Sequence, residues 1–231
     1  MSYVTEMLDI KFPNLISLYK KEILGYGMHI VAFKYSEDKV FLISLEDQKT
    51  EFLEKMGFSI KENFYPEYFS EEFIEGLKDS EFTCFITDKV IPLDLYSEEL
   101  SYVDDSYYDP VISMALRELS MYKSESCLIP REFSSTEEFQ REIPEMINFL
   151  EDSFLTLLED FNEDFLLRSK NSYIDYACKI FDSVKKSLYI IPSLEINKNF
   201  ILDLHSEQFA IKNGELVCID PIMIDFEPVF M

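Results

Sequence analysis

The stretch that decides how this chain is read is ILDLHSEQFAIKNGELVCID, residues 201–220. Asp203 and His205 stand two apart, Gln208 follows three further on, and a second aspartate, Asp220, closes an apolar run broken by Lys212-Asn213-Gly214-Glu215. Asn-Gly readily supplies the two positive φ angles of a tight two-residue turn, so the run predicts a β-hairpin. A hairpin brings its own ends together, and the polar groups there, Gln208 and Asp220, come with them. Oxygen ligands converging from the two ends of one hairpin suit a hard cation. An aspartate ahead of a hairpin also has the plainer role of capping or turning the chain, and the residues alone leave both roles open.

The 231 residues suffice for one large domain or two small lobes. Hydrophobic residues at 47% and aromatics at 15% give enough apolar area to offset chain entropy, which places the chain among globular proteins. With 45 acidic against 21 basic residues the formal charge is −24. Direct binding to a phosphate backbone is therefore not expected, because such binding needs Lys and Arg to displace counterions. Solubility, a partner with a basic surface and imitation of the charge of DNA are three ways to use such acidity.

Cys84, Cys127, Cys178 and Cys218 lie far apart with no CxxC pair, which argues against zinc. The apolar contexts TCFIT, YACKI and LVCID predict reduced core thiols. MSYVTEMLDIKF at the start has no basic region followed by an apolar stretch, and no run nears the roughly 18 apolar residues of a membrane span. The expectation is a soluble cytoplasmic protein with no membrane partner.

Residues 23–45, ILGYGMHIVAFKYSEDKVFLISL, read as two β-prone runs around a polar SEDK turn. EDQKTEFLEKMG reads as a short helix ending on Gly57, and EFTCFITDKVIPLDL as a strand running into a charged turn and Pro92. The first part, residues 1–92, thus predicts a small sheet with one helix. The remainder, 93–231, predicts a helical part carrying the hairpin. There Ser135 stands three before Glu138 in capping-box spacing, and Phe139, Ile143, Ile147, Leu150, Phe154, Leu158 and Phe161 recur at helical intervals. Ten acidic residues against Arg141 alone occupy Glu137 to Asp164, the pattern of a solvated face. NSYIDYACKIFDSVKKS predicts a further helix whose two lysines suit the negative end of its dipole.

In that order, and with these residues, the chain resembles the protein-kinase-like fold, in particular small phage-encoded kinase-like proteins and the aminoglycoside-phosphotransferase branch. The likeness runs from about Leu24 to Pro221 and rests on three patches. In DLHSEQ, Asp203 matches the family's base, His205 its loop histidine and Gln208 its magnesium-holding asparagine; Asp220 matches the second metal aspartate. In LGYGMHIVAFK, Gly25 and Gly27 match the first two glycines of the phosphate loop, Ile30 replaces the third, and Phe33-Lys34 match its Tyr-Lys. In CFITDKVIPL, Asp88, Lys89, Val90 and Ile91 match the inter-lobe hinge. A turn into a strand accounts for the two glycines equally simply, and an edge strand for the hinge.

Two departures are visible. KVFLIS puts Leu42 or Ser44 where the family carries a strand lysine, which leaves Lys34 on the neighbouring strand as the substitute and Lys39 in the turn. Glu51 and Glu54 are the candidates for the family's helix glutamate, and KVFLIS offers them no strand lysine. Gln208 for Asn adds a methylene, a shift of roughly 1.5 Å in the ligand atom. The resemblance implies a two-lobed α+β fold, ATP and Mg2+ as cofactors, catalytic Asp203 and His205, metal ligands Gln208 and Asp220, and nucleotide contacts at Gly25, Gly27, Lys34, Asp88 and Val90. Its functional expectations are a minimal phosphotransferase or a degenerate kinase acting on a host protein, in the host cytoplasm if phage-encoded. The charge supports the alternative of an acidic decoy that occupies a basic nuclease or regulator.

Overall fold

The computed structural model describes residues 3–13, 15–27, 29–45, 48–92, 116, 119–124, 130–160, 170–204 and 208–224. The chain divides into two compact units, Met1–Lys89 and Val90–Met231. Both mix helices with antiparallel sheet, so the protein is α+β.

The first unit is built on β1 (Ile23–Tyr26), β2 (Ile30–Lys34), β3 (Lys39–Ser44), β4 (Lys61–Glu62) and β5 (Thr83–Asp88), in the sheet order β1-β2-β3-β5-β4. The stretch from Ile23 to Lys34, expected as one run, is two strands, because the Gly27 N–H donates to the Ile30 carbonyl at 2.9 Å and folds the chain back. Side chains alternate along a strand, and Val31, Phe33, Phe41, Ile43 and Ile86 share one face. Onto it pack Val4 and Leu8 from helix α1 (Tyr3–Lys11) and Phe73 and Leu77 from helix α4 (Glu71–Lys78). Phe69 sits among Phe33, Phe41 and Phe73 with ring centroids 4.8–5.4 Å away. Short α2 (Leu15–Leu18) completes this side of the chain. The opposite face carries Ala32, Val40, Leu42, Ser44, Phe85 and Thr87.

Helix α3 (Gln48–Lys55) ends as the sequence predicts: Gly57 takes φ +87°, its N–H reaches the Glu54 carbonyl, and the Phe58 N–H reaches that of Leu53. This pair of bonds is a Schellman closure, which glycine alone adopts without steric cost. A sheet with one helix was nevertheless too few helices. Ser70 caps α4, its Oγ accepting the Phe73 N–H at 3.2 Å, but a helix of eight residues leaves too short a periodic pattern to stand out.

In the second unit, helices α5 (Thr136–Asp160) and α6 (Lys170–Ile190) accompany two three-stranded sheets. One has the order β10 (Glu215–Cys218), β9 (Phe209–Lys212), β6 (Ile91–Pro92); the other β11 (Ile222–Ile224), β8 (Phe200–Leu202), β7 (Glu132–Phe133). Asn213 and Gly214 have φ of 53° and 82°, as the predicted hairpin turn requires. Half of the expected capping box forms: Ser135 Oγ accepts the Glu138 N–H, while the Glu138 carboxylate turns to Ser134 instead. Phe139, Ile143, Ile147 and Leu150 are buried as their spacing predicts; Phe161 lies outside the described residues. Helix α6 runs past its lysines to Ile190, so Lys185 serves an ion pair with Glu151 rather than the helix end. Of the expected core thiols, Cys218 is fully buried and burial pushes the Cys84 thiol up to about 12, but Cys178 is exposed on α6. Cys127 lies outside the described residues.

Gly76, inside α4, tests how tightly the first unit is packed. Alanine normally stabilises a helix interior by about 1 kcal/mol over glycine. Here its Cβ would meet the Phe12 ring well inside contact distance, and that ring is packed edge-on against Phe73 at 5.0 Å. Overpacking costs about 1–3 kcal/mol, so Gly76→Ala is expected to lower the melting temperature, and Phe12→Leu in the same chain to recover part of the loss. A higher melting temperature for Gly76→Ala would show that the ring moves aside freely.

Candidate functional site

The geometry around Asp203 follows from two strand ladders whose registers do not match. Leu202 pairs with Ile222, and one step on, the Asp203 N–H donates to the Pro221 carbonyl at 3.0 Å. Phe209 pairs with Cys218, and one step back, the Ile219 N–H donates to the Gln208 carbonyl at 2.8 Å. Between these two bonds, one strand holds four residues, 204–207, and the other holds Asp220 alone. The Gln208 Nε2 donates to Asp203 Oδ2 at 2.9 Å, and Asp220 stands between the two bonded positions Ile219 and Pro221 of the facing segment; all three residues are half-buried.

The strand carrying Asp203 is anchored at its start. Phe200 is buried against Phe133 of β7 and Phe139 of α5, with centroids 5.6 and 5.5 Å away, and those two rings meet edge-on at 4.9 Å. Arg131 lies over the Phe133 ring at 4.9 Å and donates to Glu138 at 2.9 Å. His205, within the loop, lies outside the described residues.

The Asp220 carboxylate and the Gln208 amide oxygen are hard donors of the kind magnesium takes, with one or two carboxylates and the rest of its shell filled by water or phosphate oxygens. Among the described residues there is no group of three or more His, Cys, Asp or Glu able to hold a metal. These two donors would supply only part of an octahedral shell.

In the first unit, a Cβ at Gly25 would meet open space, and one at Gly27 would lie 3.3 Å from Ile30. Bare backbone is therefore presented at the β1–β2 turn, although neither glycine has a positive φ. Ser44 is fully buried and Leu42 nearly so, on the face that also carries the exposed Lys34, so no strand lysine stands at either position. Lys39 is not loose in its turn: half-buried, it forms an ion pair with Asp88, whose Oδ2 accepts the Ser59 N–H at 3.0 Å. The expected hinge is largely engaged in structure. The Lys89 N–H donates to Asp38, and Ile91 pairs with Ile211, while Val90 is half-buried. Beside it, Thr87 Oγ1 is buried without a hydrogen-bond partner.

Sequence reasoning missed two serines that hold the loop from outside. Ser120 Oγ accepts the Leu204 N–H at 3.2 Å, and Ser183 Oγ accepts the Cys218 N–H at 2.7 Å. Their only signal is a serine among apolar helical neighbours, as in IFDSVKK, a weak one because serine also suits solvent.

The described part of the acidic α5 face is only partly a solvated surface. Lys123 bridges Glu142 and Glu145 at 2.7 and 2.6 Å, Arg131 joins Glu138 and Glu142, and Lys185 joins Glu151 at 2.5 Å. Hydrogen bonds from Ser134 and then Arg131 lower the Glu138 carboxyl; Lys123, then Arg131, lower that of Glu142; Lys123 and Tyr122 lower that of Glu145.

Comparison of the chain with protein-family models, with curated proteins and with solved structures found no match. Among the described residues, no helix is long and apolar enough to cross a membrane.

The depressed carboxyls set an acid limit. A group held below its unfolded value contributes stability that is fully present above about 4.5, the ordinary value, and is lost as pH falls through its lower folded value. Urea unfolding followed downward from neutral pH should show this loss, and Glu142→Gln should flatten the acid limb. An unchanged acid limb would mean that these ion pairs add nothing to stability.

Proposed function

We propose that the chain is a kinase-like protein with a two-lobed architecture, binding ATP with magnesium and acting in phosphoryl transfer. The observation that carries this reading is the Gln208–Asp203 bond at the junction of two ladders, with Asp220 between the two backbone bonds that face it. Phosphoryl transfer needs little covalent chemistry from a protein and depends on positioning and charge. Magnesium, when bound, would neutralise the phosphate oxygens. Asp220 and the Gln208 amide oxygen would hold it. The Gln208 amide donates to Asp203 through nitrogen, which turns its oxygen away from that carboxylate. Asp203 would accept the proton of the attacking hydroxyl, with the Gln208 bond fixing one carboxylate oxygen and orienting the other. Bare backbone at Gly25 and Gly27 is of the kind that polyphosphates approach closely.

A second reading, a degenerate kinase that serves as a binding module for a host protein, is favoured by buried Ser44 and Leu42 at the place of the phosphate-pairing lysine. The decoy reading has less support, because cations of the chain itself already engage part of the acidic α5 face.

A thermal melt with and without millimolar ATP and magnesium separates these. Ligand at one hundred times its dissociation constant stabilises by about 2.7 kcal/mol, a shift of several degrees for a chain of this size. The expected result is a magnesium-dependent shift that Asp220→Ala abolishes and Asp203→Asn retains, with phosphoryl transfer lost in Asp203→Asn. A shift without transfer in the wild type would favour the binding module. No shift would overturn the nucleotide reading.

A further inference from the structure

We infer that Ser120 and Ser183 are positioning residues for the Asp203–Asp220 loop, setting its cation affinity from outside it; this rests on the function proposed above. Leu204 lies one step beyond the Asp203–Pro221 bond and Cys218 one step before the Ile219–Gln208 bond, so the two serines bond to backbone on either side of the junction between the ladders. Leu204, immediately after Asp203, is buried, and its N–H lies one step beyond the last ladder bond. Ser120 Oγ accepts it, while its own O–H donates to the Leu116 carbonyl at 3.2 Å. Cys218, two before Asp220, is fully buried on β10, which is the edge strand of its sheet. An edge strand has backbone groups with no neighbouring strand, and Ser183 of α6 accepts the Cys218 N–H.

Both hydroxyls are buried, at 9% and 5% relative exposure, where a serine is a poor helix former and an apolar residue would pack better. Their backbone bonds compensate by joining helical segments to both sides of the loop. If either bond is lost, a buried N–H loses its acceptor and the adjoining backbone shifts to find another. Asp220 then moves directly, or Gln208 through its bond to Asp203, and a cation held by Asp220 and Gln208 binds more weakly. Groups that orient ligands in this way affect metal affinity by roughly 10–100-fold.

The test uses the full chain and Mn2+ alone as the probe, with free Mn2+ measured by electron paramagnetic resonance at neutral pH. Wild type should bind, and Asp220→Ala should lose binding. Ser120→Ala and Ser183→Ala should each weaken it by about tenfold, and Ser120→Thr and Ser183→Thr, which keep the hydroxyl, should restore most of it. Ser187→Ala is the control: its buried hydroxyl only bonds back to the Ser183 carbonyl of its own helix, so Mn2+ affinity should hold even if the melting temperature drops. Should an alanine variant not fold, threonine against valine at the same position compares the hydroxyl at nearly constant shape. Wild-type affinity in the folded variants lacking either serine hydroxyl, alongside loss in Asp220→Ala, overturns the positioning role and leaves the proposed function standing. Absence of Mn2+ binding in the wild type, or binding that Asp220→Ala does not change, overturns the proposed function and this inference with it.

Discussion

The candidate site depends on a mismatch between two hydrogen-bonded ladders. The bond from Asp203 to Pro221 belongs to one register and the bond from Ile219 to Gln208 to another, so four residues must be accommodated opposite Asp220. Backbone pairing is cooperative and directional, and neither ladder can slip without moving a whole face of side chains from core to solvent. The Gln208–Asp203 bond joins the two ladders at this junction.

The strand leading to Asp203 is anchored by packing at its start. The Phe133, Phe139 and Phe200 rings lock β7, α5 and β8 together at the start of the Asp203 strand, and Arg131 ties the same corner to the acidic α5 face. Thus part of the charge that dominates the composition has a local structural use. Exposed ion pairs individually add little, but Lys123 and Arg131 share Glu142, so its carboxylate links two basic residues from outside the helix. An acidic run read from sequence as solvent-facing is, in its described part, a scaffold for basic residues elsewhere in the chain.

The first unit shows a different economy. Its sheet buries one face under aromatic rings and the helices α1 and α4. At the far end of β3 and β5, Lys39, Asp88 and Ser59 form a polar clasp. Asp88 is therefore committed through its side chain to holding strand ends together, and the expected hinge offers fewer unengaged groups than its sequence promised. Thr87 Oγ1 beside it remains a buried hydroxyl without a partner, at a cost of about 1–3 kcal/mol by the usual reckoning.

Local chemistry made much of this architecture legible from sequence. Asn213-Gly214 required a hairpin, Gly57 required a helix end, Ser135 required a helix start, and the apolar spacing along α5 required a buried stripe; each signal lies within a few residues of what it specifies. The short helices α1 and α4 were missed because two turns give too little periodicity, and Cys178 was misplaced because apolar neighbours in sequence need not share a helix face. The sequence by itself determined the α+β character, the hairpin and the identity of the polar residues at its ends. Only the tertiary structure decided that Gln208 bonds to Asp203, that Asp88 belongs to Lys39, and that Ser120 and Ser183 bond to the backbone of Leu204 and Cys218. Those outcomes depend on register and on contacts between segments far apart in the chain, where no local propensity discriminates one partner from another.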